Sequence, residues 1–423
     1  MSQSKPAPVA IVGGGPCGLT LARLLELAGV DYVVFERDDS AAPKSHHQGG
    51  TLDIHPGTGQ AALEAAGLRG EFEKLARHEA DVFTVQDFRG DHRFRTGGDG
   101  AAVGEGDRPE IDRSQLRKLL LDSIPEHRIR WGKVLKTVER RENAEAGAGA
   151  AGWVLRFADG SSESGFRLVV GADGAWSKVR PLITPVKPTY SGKSYVEGRL
   201  SPTNPQYAAA LDIAGPGTSA TCGAGRVLVV QQLSDRTYRM YAGVEEDESL
   251  ARPGGVLDFA TDIEKSRAAL LERFDDFAPH LRAFVENAEG PWRVWPLYYL
   301  EADVFSPEAD GKTWVRAPGV TLLGDAAHVA LPNGEGVNLA MFDSLRLFQC
   351  LSAELAKQGE TFDVQADGAA IERAIVAYET EMRKNAKEHV IDGISMNDMM
   401  YKADGAQRMT AFFKQFADGA DQQ

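Results

Sequence analysis

The sequence predicts an α/β protein in which a parallel, doubly wound sheet is interrupted by a mostly antiparallel one and closed by a helical tail. Three observations carry this. The apolar runs Val9–Val12, Leu168–Val170 and Val320–Leu323 each lead into a glycine-bearing turn, as buried parallel strands do at their ligand-bearing ends. Between 184 and 300 the texture changes to short alternating runs punctuated by Pro and Gly, which suits antiparallel strands. Near the end, Ile371, Ala374, Ile375, Tyr378 and Met382 form one apolar stripe, with Glu372, Arg373, Glu379 and Lys384 on the other face.

The elements follow in order. Strand 9–12 feeds a helix marked by Leu21, Leu24 and Leu25, and Tyr32–Phe35 is the next strand. A loop with Pro43, His46, His47, Gly49 and Gly50 leads to the extended Thr51–His55 and to a helix over 57–67. Alternation predicts a hairpin at 82–95; residues 97–106 are glycine-rich. Asp112 or Ser114 caps a helix that buries Leu116, Leu119 and Leu120. Strands at 134–140 and 153–158 flank the low-complexity stretch 143–150. In the middle region strands are expected at 208–213, 226–233, 237–244 and 293–300, and a helix at 262–273. A last strand, 320–323, precedes a helix over 339–349.

Composition narrows the function classes. With 423 residues, two to three domains are expected. A net charge of −14 without a basic stripe excludes nucleic acid as partner. Three cysteines without a CxxC pair give neither a disulfide framework nor a metal site. The first residues lack a signal-peptide core and no run approaches a membrane span, so a cytoplasmic protein is expected, without membrane insertion and monomeric.

The strand-turn-helix at the start holds Gly13-x-Gly15-x-x-Gly18. In a Rossmann-like unit the first glycine permits the tight turn, the second lets backbone approach a pyrophosphate, and the third lets helix and strand pack closely. The helix amino end then faces the phosphates with unpaired N–H groups and the positive end of its dipole. Glu36, closing the second strand, suits a ribose diol and disfavours a 2′-phosphate. Alone, this motif leaves FAD and NAD both open. Gly171-Ala172-Asp173-Gly174, followed by Ser177, Val179 and Arg180 on an expected helix, and Gly324-Asp325-Ala326-Ala327-His328 repeat the logic. Each sets a carboxylate at a strand's carboxyl end, where it can accept a hydrogen bond from ribityl hydroxyls. Together, in this order and spacing, they indicate bound FAD. His328 reads as a helix-start residue that packs or caps, and Met396, Met399 and Met400 as core filler. Trp292-Arg293-Val294-Trp295-Pro296 reads as a buried strand with aromatic anchors.

The three motifs resemble those of the class A FAD-dependent aromatic hydroxylases, the para-hydroxybenzoate hydroxylase type. Within that family, Gly49-Gly50-Thr51-Leu52-Asp53-Ile54-His55 with Gly59-Gln60, and Ile111-Asp112-Arg113-Ser114-Gln115-Leu116-Arg117, are similar to the tetracycline-inactivating flavin monooxygenases. The resemblance covers 8–182 and 293–346 well and 184–292 poorly. It implies an FAD-binding domain over 1–182 and 293–350, an inserted substrate-binding domain over 183–292 that the hairpin 82–95 joins, and a helical segment over 360–423. Gly13, Gly15 and Gly18 would cradle the pyrophosphate, Glu36 would hold the adenosine ribose with Arg37 beside it, and Gly50, Arg113 and Arg117 would approach the flavin or its phosphate. Asp325 would bind the ribityl–pyrophosphate region, Gly334, Gly336, Val337 and Asn338 would lie along the isoalloxazine, and Asp173 and Arg180 would serve FAD and transient NAD(P)H.

The implied activity is hydroxylation of a hydrophobic phenolic or polyketide-like small molecule, consuming NAD(P)H and O2, with oxygen adding at flavin C4a. A reductase, dehydrogenase or epoxidase, and a non-catalytic ligand-sequestering flavoprotein, are the alternatives. Since the chemistry is borne by the cofactor, no side chain is singled out as the catalyst; Arg117, His47 and Gln48 are candidates, and His46 and His47 are ordinary loop residues or flavin-edge contacts. Two departures stand out. Pro332 and Gly334 are separated by Asn333 alone, one residue fewer than the family loop. Tyr195-Val196-Glu197 and Val230-Gln231-Gln232-Leu233 stand where the tetracycline enzymes place a Gln and a His. Glu197, Gln231, Pro332 and Asn333 are the candidate substrate contacts.

Overall fold

The computed structural model describes residues 6–42, 49–97, 108–141, 152–306, 313–358 and 362–420, the side chains of 416–420 excepted. The chain opens with β1 (Val9–Val12), α1 (Pro16–Leu27) and β2 (Tyr32–Phe35), then β3 (Thr51–Asp53), α2 (Gly59–Ala65) and α3 (Arg69–Glu73). The hairpin β4 (Val82–Asp87) and β5 (Arg93–Gly97), β6 (Glu110–Asp112), α4 (Arg113–Asp122) and β7 (Ile129–Arg130) follow. Next come β8 (Leu135–Arg140), β9 (Trp153–Phe157), β10 (Ser162–Ser164) and β11 (Leu168–Gly171). The middle holds β12 (Thr189–Leu200), α5 (Tyr207–Ala214), β13 (Thr218–Gly223), β14 (Arg226–Gln232), β15 (Tyr238–Glu245), α6 (Ile263–Glu272), α7 (Pro279–Asn287) and β16 (Glu289–Tyr299). The chain ends through β17 (Val320–Leu322), α8 (Asp325–His328), α9 (Gly336–Leu355), α10 (Val364–Met400) and α11 (Gly405–Ala420).

Five strands form a parallel sheet in the order β17-β11-β1-β2-β7. Its central strands are buried throughout, which is why they read as continuous apolar runs rather than alternating ones. A seven-stranded sheet runs β16-β12-β15-β14-β13-β4-β5 and is antiparallel except between β13 and β4. Alternation divides its residues between two faces. Val196, Val230, Met240, Ala242 and Val244 pack with Leu270, Phe274, Leu281 and Phe284 of the helical layer over 263–287. Val85, Ala220, Cys222 and Val227 instead meet Met400, Tyr401 and Met409 from the C-terminal helices, with Met396 and Met399 packed against the same cluster.

Several expectations are corrected. Residues 208–213 are not a strand but lie in α5; the alanines at 208–210 carry no alternating polarity, and helix propensity prevails there. Ser177 to Arg180 do not continue as an α-helix: the segment turns on itself and ends in a short 3₁₀ helix, Arg180–Leu182. The strand expected to be buried, β16, is mostly half-exposed, with Trp295 38% exposed, although Trp292 stacks on Phe259 at 4.9 Å. It pairs with β12 along the seven-stranded sheet, so position 293 lies inside one continuous strand. Residues 143–150 lie outside the described residues, as do 98–106 of the glycine-rich stretch.

Helix α10 is fixed to the edge of the parallel sheet by polar contacts. Tyr378, fully buried, donates its hydroxyl to the Leu322 carbonyl at 2.9 Å. Glu379 accepts from Thr321 at 2.8 Å and from Arg316 at 2.9 Å. Tyr378→Phe should leave that carbonyl without its side-chain donor and cost about 1 kcal/mol, read as a lower urea midpoint at unchanged slope.

Candidate active site

Parallel register brings the separated motifs together. Val12 pairs with both Phe35 and Gly171, and Gly171 pairs with Leu322. The turns after four neighbouring strands therefore open on one edge of the sheet: Gly13–Gly18, Glu36, Ala172–Gly174 and Gly324–Asp325.

The glycines of the first turn are required sterically. Gly13 has φ of 111°, and a Cβ there would lie 2.2 Å from the Ala172 carbonyl oxygen. A Cβ on Gly18 would stand 2.1 Å from the Gly13 oxygen, whereas one on Gly15 would meet no described atom within 4 Å. The turn is tight behind and open in front, at the amino end of α1, which is the cradle a pyrophosphate needs. Glu36 is buried; it accepts from the Gly14 amide at 2.5 Å and from the Asp38 amide at 3.0 Å. Arg37 is exposed beside it. Arg117 donates to the Gly14 carbonyl at 3.3 Å and to Asp38 at 3.1 Å, and lies 4.0 Å from Glu36. The structure thus ties Arg117 to the first glycine turn. Of the other two catalytic candidates, His47 and Gln48, nothing can be placed, since both lie outside the described residues.

The two later turns are stapled to each other. Asp173 accepts from the Ser177 hydroxyl and the Lys178 amide, each at 2.6 Å, and burial raises its pKa. Arg180, 4% exposed, donates to the carbonyls of Asp325 at 3.3 Å and Ala326 at 3.1 Å. Burial depresses its pKa, with Asp173 and Asp325 opposing. The Asp325 side chain itself is exposed. Beneath it, His328 ends α8 instead of starting a helix. Its Nε2 meets Asp343 at 2.6 Å, and the same oxygen accepts from the Gly324 amide at 2.9 Å. Burial works against the charged imidazole, but the Asp343 carboxylate outweighs it and the His328 pKa is raised.

The remaining candidate residues lie around β3, α4, α9 and the seven-stranded sheet. Arg113 starts α4 and packs under Gly49, where a Cβ would lie 2.7 Å from its Cδ. A Cβ on Gly50 would lie 2.2 Å from Gln231 Oε1, and that oxygen accepts from the Thr51 amide at 3.2 Å. Gln231 thus joins the seven-stranded sheet to β3. Glu197, 3% exposed, accepts from the Trp295 indole at 2.7 Å and lies 3.6 Å from Arg239. Asn338, in the first turn of α9, is fully buried; it donates to the Asp53 carbonyl at 2.9 Å and accepts from the His55 amide at 2.8 Å. Gly336 and Val337 precede it, half-buried. Asn333 contacts His389 at 3.2 Å and caps the Glu335 amide, while the Pro332 carbonyl accepts from Asn397 at 2.8 Å. Sequence reasoning missed Asp343, His389 and the ion cluster of Asp53, His55 and Glu335. The Asp-x-His spacing in 53–55 was a signal for the last; Asp343 and His389 gave none.

Strand ends converging on a glycine cradle, with a buried carboxylate closing the neighbouring strand, define a dinucleotide-binding fold. Comparison with known proteins sharpens this. The family model "FAD binding domain" matches residues 6–200. The chain is 30% identical to monooxygenase penA of Penicillium thymicola, over 92% of this chain and 94% of that protein. It is also 30% identical to the 3-amino-4-hydroxybenzoate 2-monooxygenase of Streptomyces cremeus, over 92% and 90%. The crystal structure of the tetracycline destructase Tet(51) shares the fold, with a TM-score of 0.66 over 98% of both chains at 17% identity. The chain belongs to the FAD-dependent monooxygenases, and its cofactor is FAD.

The His328–Asp343 pair generates a prediction. Asp343→Asn removes the charge that supports a buried imidazolium and should destabilise the protein by roughly 3–5 kcal/mol. The raised His328 pKa means this stabilisation is complete below the ordinary histidine pKa and lost as pH rises through the folded value. The gap between wild-type and variant urea midpoints should therefore narrow toward alkaline pH.

Proposed function

We propose that the protein hydroxylates an electron-rich aromatic small molecule, phenolic or polyketide-like, at the expense of NAD(P)H and O2. The observation that supports this is the close contact of Gly50–Thr51, at the start of β3, with Gln231 of the seven-stranded sheet, which brings the glycine-bearing part of the chain against that sheet. Bound FAD supplies hydride acceptance and oxygen activation; this chain's residues supply binding, orientation and exclusion of water. Gly13, Gly15 and Gly18 hold the pyrophosphate, Glu36 the adenosine ribose and Asp325 the ribityl region. The amino end of α9 at Gly336–Asn338 stabilises negative charge on the ring. Arg180 holds the second turn to the third, and Asp173 braces the second turn from within.

On the substrate side, the wall joins aromatic and apolar groups (Tyr195, Tyr241, Val229, Met396) to buried Glu197 and Arg239, with the partly exposed Trp295 donating to Glu197. Such a wall suits a planar, largely hydrophobic ring bearing one or two polar substituents. The aromatic substrate in the name of the Streptomyces cremeus relative supports this reading. The shortened Pro332–Gly336 loop favours a second reading, a flavin reductase or dehydrogenase on the same fold.

The two readings part in stoichiometry. Purified protein given NAD(P)H and a panel of phenols, aminophenols, quinolones and tetracyclines should form a product that carries one atom of labelled O2, close to one per NAD(P)H consumed. Ligand-stimulated NAD(P)H oxidation that yields only hydrogen peroxide or a reduced acceptor would refute hydroxylation. Glu36→Ala should raise the FAD dissociation constant about tenfold to a hundredfold, the worth of charge-assisted hydrogen bonds of roughly 1.5–3 kcal/mol. Flavin fluorescence titration measures it, and an unchanged constant would overturn the ribose assignment.

A further inference from the structure

Both ring nitrogens of His55 face carboxylates. Nε2 lies 2.6 Å from Asp53 and Nδ1 lies 2.9 Å from Glu335. The imidazole side chain is 8% exposed, whereas Asp53 and Glu335 are 37% and 44% exposed. A neutral imidazole donates from one nitrogen and presents a lone pair at the other. Only the imidazolium satisfies two carboxylates at once, so this geometry selects the charged ring.

The cluster joins two segments far apart in sequence. Asp53 closes β3, and Glu335 is the N-cap of α9. Asn338 adds its paired contacts to the backbone at 53 and 55, and Asn333 reaches His389 on the opposite side. The loop 332–336 is thereby held from β3 on one side and from α10 on the other. It has one residue fewer than the loop it resembles, and hence little slack to absorb the loss of a tie.

We propose that His55 is a positioning residue for the cofactor: its charge pins Glu335 to Asp53, and this holds the amino end of α9 where FAD must meet it. The inference rests on the proposed placement of the ring at Gly336–Asn338, and not on the identity of the substrate. The groups that set the His55 charge come from every element around it. They are Asp53 from β3 and Glu335 before α9; Asp53 in turn couples to Glu110 of β6, the partner of Arg77, and Glu335 to His389 of α10. Burial alone disfavours the charge; the hydrogen bonds from Asp53 and Glu335 prevail and push the pKa up to about 9. With the folded pKa above the ordinary value near 6.5, the tie is complete below about pH 6.5 and is lost as pH rises through about 9.

The test uses the full chain and reads FAD affinity by fluorescence titration from about pH 6.5 to about pH 10, alongside the melting temperature of the apoprotein. For the wild type, the FAD dissociation constant should rise about tenfold over that range with a midpoint near 9, the scale of a lost charge-assisted contact. For His55→Gln it should already be raised about tenfold at pH 7 and stay flat. Should that variant fail to fold, Glu335→Gln, altered at a half-exposed position, should bind FAD with its midpoint moved toward ordinary histidine values. A wild-type affinity flat with pH, the same profile in His55→Gln, or an unmoved midpoint in Glu335→Gln would overturn the proposal. A pH-dependent apoprotein melting temperature with unchanged FAD affinity would overturn the positioning role and spare FAD binding. Failure of the wild type to bind FAD at any pH would overturn both.

Discussion

The parallel register of β2, β1, β11 and β17 is the constraint on which the rest of the molecule depends. Strand ends at Val12, Phe35, Gly171 and Leu322 are level because each pair is locked residue by residue. A one-residue slip of a strand would reverse which side chains face each layer and carry its turn away from the others. Glycines at 13 and 18 then let the turns and α1 close to backbone contact. The proposed cofactor site is thus the level end of the core, not a pocket added to it.

Charge inside this core is compensated locally. Asp343 has both His328 and a backbone amide, Arg180 has the carbonyls of Ala175 in one turn and of Asp325 and Ala326 in the next, and Glu379 has Arg316 and Thr321. An unpaired charge at such depth would cost several kcal/mol, so each pairing also fixes a position: α9 against α8, one strand-end turn against the next, α10 against the sheet edge. The same groups that satisfy burial set the spacing of the site's walls.

The parallel strands, their order of motifs and the hairpin expected at 82–95 were legible because each carries a strong local period or a glycine with a steric duty. The middle region was harder. Residues 207–214 are rich in alanine, which carries no alternating polarity to mark a face, so helix propensity decides and the helix packs on β4, β13 and β14. Local geometry was legible where a residue acts through its own turn, as the tight turn at Gly13 and Gly18 does. The candidate site was illegible where a residue acts across the fold: Asn338 stitches 53 to 55, Gln231 meets Gly50, and His389 meets Asn333. Such pairings are set by topology between segments up to 285 positions apart, and no window of sequence contains them.

The two sheets also share a timetable. The parallel sheet lacks its edge until β17 arrives, and the hairpin β4–β5 cannot extend its sheet until β13, some 130 positions later, pairs alongside it. Helices α10 and α11 then cover strands from both early and late segments. A chain emerging from the ribosome therefore carries its phosphate turn long before the turns at Gly171 and Gly324 exist to face it. Domain-by-domain completion during synthesis is closed to this topology: flavin capture belongs to the finished chain, and its early strands must wait with unpaired edges.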